Sequence, residues 1–248
     1  MEAWSLIQFL LMVVIATTVQ TITGFALGLI LVALTAAFGV ISVVDCAAIV
    51  SLISLMNTGF LLRRAYRELD FRLVLAIMIG LLPMLGAGFF WLDQVGRDQV
   101  ALLKLIIGVM VLLAGVTLML RPSIYPAVSP LPLFTGVGLL GGFFGGLFSA
   151  AGAPIAYLMY RQPLSIPVIR ACLLAVFFLS TFARAILGGF AGHYSADVLL
   201  KTVLAAPVML VTTLLIEPHL SSIPDQAVRR LVFLSLMILG AYLILSPG

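Results

Sequence analysis

The chain has 248 residues, 63% of them hydrophobic and 9% charged, a balance that excludes a water-soluble globule and makes it an all-α integral membrane protein. Its net charge of +4 would suggest nucleic acid in a soluble chain. Here the basic residues lie between apolar runs, where they orient a protein in the bilayer, so the expected surroundings are lipid and no nucleic-acid partner is expected.

Eight apolar blocks follow one another, at about 4–38, 45–62, 73–92, 99–120, 131–160, 167–190, 197–216 and 228–246. The first lacks a basic leading region and runs far beyond the apolar stretch of a signal peptide, so no cleaved leader is expected. Most blocks are the right length to span once. The first and fifth are not: a straight helix of roughly 30 to 35 residues would reach roughly 45 to 52 Å, well past a hydrocarbon core of about 30 Å. Each of these two carries an interruption of small residues, QTITGFALGLILVAL from Gln20 and GGLFSAAGAPIAYLM from Gly145, which predicts two short helices meeting at a break. The interruptions align at an offset of 125, so that Gly24 meets Ser149, Ala26 meets Ala151 and Gly28 meets Ala153. Later landmarks keep the spacing: Asp45 falls on Arg170, Pro83 lies 124 before Pro207 and Gly115 lies 125 before Gly240. The chain therefore divides into a first repeat at 1–122, a linker at 123–130 and a second repeat at 131–248. Paired interruptions at matching places point to a transport site.

Lysine and arginine arbitrate between a kink and a return at each break, because cytoplasmic loops collect them. Single crossings by all eight blocks divide these residues seven against six, which is no bias. If the first and fifth blocks each enter and leave on one side, Arg63, Arg64, Arg67, Arg72, Arg121, Arg161, Arg170, Arg229 and Arg230 share one face, against Arg97, Lys104, Arg184 and Lys201. The nine-to-four split predicts two inverted repeats, each a broken re-entrant helix hairpin plus three transmembrane helices. Residues 63–72, 161–167 and 217–230 are then cytoplasmic and both termini outside.

The chemistry of the breaks suits an anion. Glycine lets backbone approach a ligand, a helix N-terminus offers unpaired N–H groups with partial positive charge, and both are tolerated at membrane depth only when buried or lining a cavity. Thr21, Thr23 and Ser149 add hydroxyl donors and Gln20 an amide donor. The competing reading makes Gly24, Gly28, Gly145, Gly146 and Gly152 close-packing contacts that need no ligand. Arg184, about 9 Å inside a predicted span, is either a counter-charge for an anionic substrate or a side chain that snorkels to the outer interface. Asn57 either bonds a broken helix or lines the path. Lys104, Lys201 and Asp45 read as interfacial anchors, His193 and His219 as solvated loop residues, and Cys46 and Cys172 as small core residues. No GxxxxGK[ST], HExxH or GxSxG pattern occurs, so neither an enzyme nor a cofactor or metal is expected.

These residues resemble the TauE/SafE family of sulfite and organosulfur exporters. Gln20, Gly24, Phe25 and Gly28 match its first glycine-rich segment, and Gly145, Gly146, Gly152 and Pro154 its second. ELDFR at 68–72 and SADV at 195–198 look like its turns into the third span of each half. Ala26, Ser149 and Ala151 stand where the family has glycines. The resemblance implies a secondary transporter in the bacterial inner membrane that exports a small sulfur-containing anion, with homo-oligomerisation left open. The alternative of another class is a non-transporting membrane protein that assists assembly of a partner complex.

Overall fold

In a computed structural model, residues 3–23, 26–95, 99–119, 124–222 and 240–241 are described, and the regular elements among them are all helical. In chain order they are α1 (Ala3–Thr23), α2 (Leu27–Phe38), α3 (Val43–Ala65), α4 (Phe71–Val95), α5 (Val100–Met119), α6 (Leu131–Phe148), α7 (Gly152–Tyr160), α8 (Ile166–Phe190) and α9 (Ala196–Ile216). Six helical stretches among the described residues are long and apolar enough to cross a membrane. Except for 240–241, the block expected at 228–246 lies outside the described residues.

Both overlong blocks are broken, but not into two short helices as expected. α1 has 21 residues against 12 for α2, and α6 has 18 against 9 for α7. The small residues, not the middle of each block, set the break, so the leading helix runs nearly a full span. Helix borders repeat at the offset read from the sequence. Thr23 and Phe148 end α1 and α6, Leu27 and Gly152 open α2 and α7, and Phe71 and Ala196 open α4 and α9, each pair 125 apart. Start signals repeat with them. The Asp70 carboxylate accepts from the N–H groups of Arg72 and Leu73, and the Ser195 hydroxyl, 125 residues on, accepts from Val198. Each satisfies donors that a helix start leaves free. Pro83 and Pro207 lie inside α4 and α9.

The second break is a hairpin that returns to its origin. The Tyr125 N–H donates to the Arg161 carbonyl at 2.8 Å and the Ser129 N–H to Gln162 Oε1 at 2.9 Å, so the chain leaving α7 meets the chain entering α6. Helix directions agree. α4 and α6 are parallel: Ile77 faces Gly138, Leu81 faces Gly142 and Leu85 faces Gly146. Along this seam a Cβ on Gly80, Gly138, Gly142 or Gly146 would collide with a carbonyl oxygen of the other helix, so the close approach of backbones requires glycine. α4 and α8 are also parallel, with Asp70 beside Cys172 and Phe89 beside Arg184. α3 and α8 are antiparallel, because Ala47 and Ser51 meet Arg184 whereas Gly59 meets Phe178. The helix contacts recur on exchange of repeats: α1 packs on α9 as α6 packs on α4, and α3 on α9 as α8 on α4.

The core lies along α3, which packs on α2 and on α8, around Leu31, Ile49, Ile53, Leu173 and Val176. Leu75, Ile79, Phe90, Phe190 and Leu215 point outward, as side chains in lipid do.

Candidate functional site

The two breaks touch. Gly28, in the first turn of α2, lies so close to the Ser149 carbonyl that a Cβ there would strike it. Between the breaks is a small cavity of about 30 Å³, lined by Gln20 of α1, by 26–29, by Ser149 and 150–153, by Ser54 of α3, and by Phe177, Ser180 and Thr181 of α8.

Both turning points hold non-glycine residues in left-handed backbone conformation. Ala26 precedes α2 with φ 89°, and Ser149 ends α6 with φ 55°. They are the two non-glycine residues with positive φ among those described, and that conformation costs roughly 1–2 kcal/mol for an L-residue with a Cβ. Strain at both breaks keeps the chain turning sharply, and the turns aim the starts of α2 and α7 inward. Leu27, Gly28, Leu29, Gly152 and Ala153 all line the cavity, and first-turn N–H groups have no partner within their own helix. Pro154 follows in the first turn of α7, where its missing N–H removes no helical bond. Two helix N-termini of about half a charge each present roughly one positive charge to this space.

Gln20 reaches the cavity from α1. It is 3% exposed, and its Oε1 has no hydrogen-bond partner. Exchange of the amide O and N would turn a donor to the same place. Three expected or lining hydroxyls are engaged elsewhere: Thr21 donates to the Thr17 carbonyl, Thr181 to Phe177, and Ser149 to Ala47 across to α3 at 3.0 Å. Donors for an anion here are therefore backbone N–H groups, the Ser54 hydroxyl and one amide.

Several expected residues lie elsewhere. Gly145 packs against Ala151 within the hairpin, and Gly146 belongs to the α4 seam. Asn57 is fully buried and its Oδ1 accepts from Thr213 of α9 at 2.9 Å, leaving Nδ2 without a partner, but it does not line the cavity. Of Thr23 only the backbone is described, and Gly24 and Phe25 lie outside the described residues.

Arg184 does not snorkel. It is 1% exposed, and its guanidinium donates to Gly146 O at 2.9 Å, Leu147 O at 3.4 Å, Ala47 O at 2.8 Å and Ser51 Oγ at 2.8 Å, beneath the Phe89 ring. The Gly146 and Leu147 carbonyls belong to the last turn of α6, which the break deprives of intrahelical donors, so an internal cation is favoured over one at the interface. Arg170 does the same for the first break, donating to the Thr21 carbonyl at 3.2 Å near the end of α1. Thr21 and Gly146 are 125 apart, so one helix, α8, holds the carboxyl ends of both broken helices at matching carbonyls. Arg170 was legible only as one more basic residue at a span end. Neither arginine lines the cavity.

Two other readings are corrected. The His193 side chain is 6% exposed, bonds Asp93 at 2.9 Å and stacks on Phe89, so it is not solvated. The Lys201 side chain is 8% exposed and paired with Asp197, which shields it from water. Tyr194, in the turn after α8, donates to Ala185 O at 2.9 Å, and burial pushes its hydroxyl pKa up against the pull of Arg184.

Residues 9–243 match the family model described as sulfite exporter TauE/SafE. The chain belongs to the TauE/SafE family. It is 32% identical over 229 residues, 92% of this chain and 90% of the relative, to a protein of Cupriavidus necator described as "Probable sulfite/organosulfonate exporter TauE". No solved structure matches it. As a member of this family the chain is a multi-pass membrane exporter and not an enzyme, and an all-helical exporter of this kind belongs to the bacterial inner membrane.

Proposed function

We propose that this TauE/SafE chain exports a small sulfur-containing oxyanion, sulfite or a sulfonate, and holds it in the cavity between the two breaks. The observation that carries the reading is the convergence of two helix N-termini and the Gln20 amide, whose Oε1 has no partner, on one space bounded by Gly28, Ser149 and Gly152. About one unit of positive potential from backbone dipoles offsets most of the charge of a monoanion without a basic side chain in the cavity. Irregular backbone at this depth is tolerated because it borders a cavity.

The same proposal makes the halves inverted. Helices related by a two-fold axis lying across them run antiparallel, and an axis along them would leave them parallel; α3 and α8, equivalent by the 125-residue offset, run antiparallel. The return of the α6–α7 hairpin to its entry point supports the same topology. Inverted repeats place a substrate at their interface and let one half rock against the other.

Flux of radiolabelled sulfite and of a short sulfonate from proteoliposomes tests the function. Gln20→Leu should weaken binding by about tenfold, the low end of a lost hydrogen bond to a charged group. Wild-type protein that is folded and inserted yet moves neither anion would favour an assembly role, in which the glycines serve packing alone.

A further inference from the structure

A second concavity lies on the outer wall, away from the cavity between the breaks. α4 and α6 approach closely at Gly80 and Gly138, and beside that seam Arg72, Leu75, Ile79, Leu131, Gly136 and Leu139 line an open groove of about 530 Å³. Its floor is open at Gly136, where a Cβ would meet nothing within 4 Å. Leu75 and Ile79 on one wall and Leu131 and Leu139 on the other are 42–63% exposed. From Leu131 to Leu139 the groove runs roughly 12 Å along the helix, most of the way from an interface to the bilayer centre.

The groove has one charged end. Arg72 opens α4 beside the first turn of α6, and its guanidinium has no hydrogen bond or ion pair among the described residues, although its backbone N–H is held by Asp70. Arg63 and Arg64 in the last turn of α3 and Arg67 just after it sit at the same end, and the cationic side of a membrane protein faces the leaflet that carries anionic lipid. A free cation at the interface above an apolar trough matches a phospholipid, anionic phosphate on Arg72 and one acyl chain along Gly136.

We infer that the α4–α6 groove is a binding site for an anionic phospholipid, with Arg72 as its headgroup ligand and Gly136 as the floor for its acyl chain. α4 and α6 carry the seam behind the second break, so a lipid here would press on the hairpin that contributes Ser149 and Gly152. The site is independent of which anion is exported.

Delipidated protein in detergent, titrated with phosphatidylglycerol or phosphatidylcholine and read by native mass spectrometry, tests this. Wild type should retain phosphatidylglycerol about fivefold better, the factor that one arginine near an anionic surface supplies. Arg72→Gln should bring the two lipids to equal retention without a change in melting temperature. Gly136→Leu, whose side chain enters open space, should fold and lose both lipids. An unchanged preference in Arg72→Gln, or full retention in Gly136→Leu, would overturn the proposal. So would a disulfide-linked dimer formed at high yield by Gly136→Cys, since a second copy of the chain would then fill the groove.

Discussion

Replacing Arg184 separates two ways of using a buried cation. Its guanidinium serves four acceptors, two of which, the carbonyls of Gly146 and Leu147, end α6 and have no helical donor. A hydrogen bond to a charged group contributes about 1.5–3 kcal/mol, so losing the two at the helix end costs about 3–6 kcal/mol. Ala47 and Ser51 add less, because Ala47 O keeps the hydroxyls of Ser51 and Ser149 as donors. For a chain of this size each kcal/mol moves the melting temperature by about 2–4 °C, so Arg184→Gln should lower it by about 6–24 °C. Arg184→Lys retains the charge but not the planar fork, and should recover about half of that loss. Both should bind sulfite within about twofold of wild type once corrected for the folded fraction, because the cavity is lined without Arg184. The assays are thermal unfolding in detergent and anion titration on the same preparations. A stable Arg184→Gln that has lost anion binding, with Arg184→Lys restoring it, would refute the reasoning and return Arg184 to the substrate.

Ala26→Gly should raise the melting temperature by about 2–4 °C, because glycine relieves about 1 kcal/mol at φ 89°; an unchanged or lower value would mean that the turn is not strained. Gly28→Ala should leave a folded protein with little flux, since its Cβ forces the breaks apart at Ser149, whereas Gly146→Ala should act mainly on stability by pushing α6 off α4; flux and melting curves for the pair distinguish a site glycine from a packing glycine. In intact cells an impermeant thiol reagent should label Gly39→Cys, in the exposed turn after α2, and spare Tyr66→Cys after α3. The reverse pattern would invert the proposed topology.

The amino-acid sequence determined the class and the residues at which both overlong blocks break, because hydropathy and small residues act locally. A run of about 20 apolar residues must be a helix in lipid, and an overlong run with glycine and alanine at its interruption must bend there. Pairing at an offset of 125 carried this reading into the helix caps, where Asp70 and Ser195 do the same work. What each glycine touches depended on which helix stood opposite it. Gly28 and Gly146 are alike in sequence, yet one meets the other break and the other meets α4. The arginines show the same limit. Hydropathy measures distance from a span end, so it drew Arg184 towards the interface and left Arg170 among the loop charges. The tertiary fold decided otherwise by bringing the cut ends of α1 and α6 to one helix, because carbonyls orphaned inside a membrane must find donors and α8 supplies them.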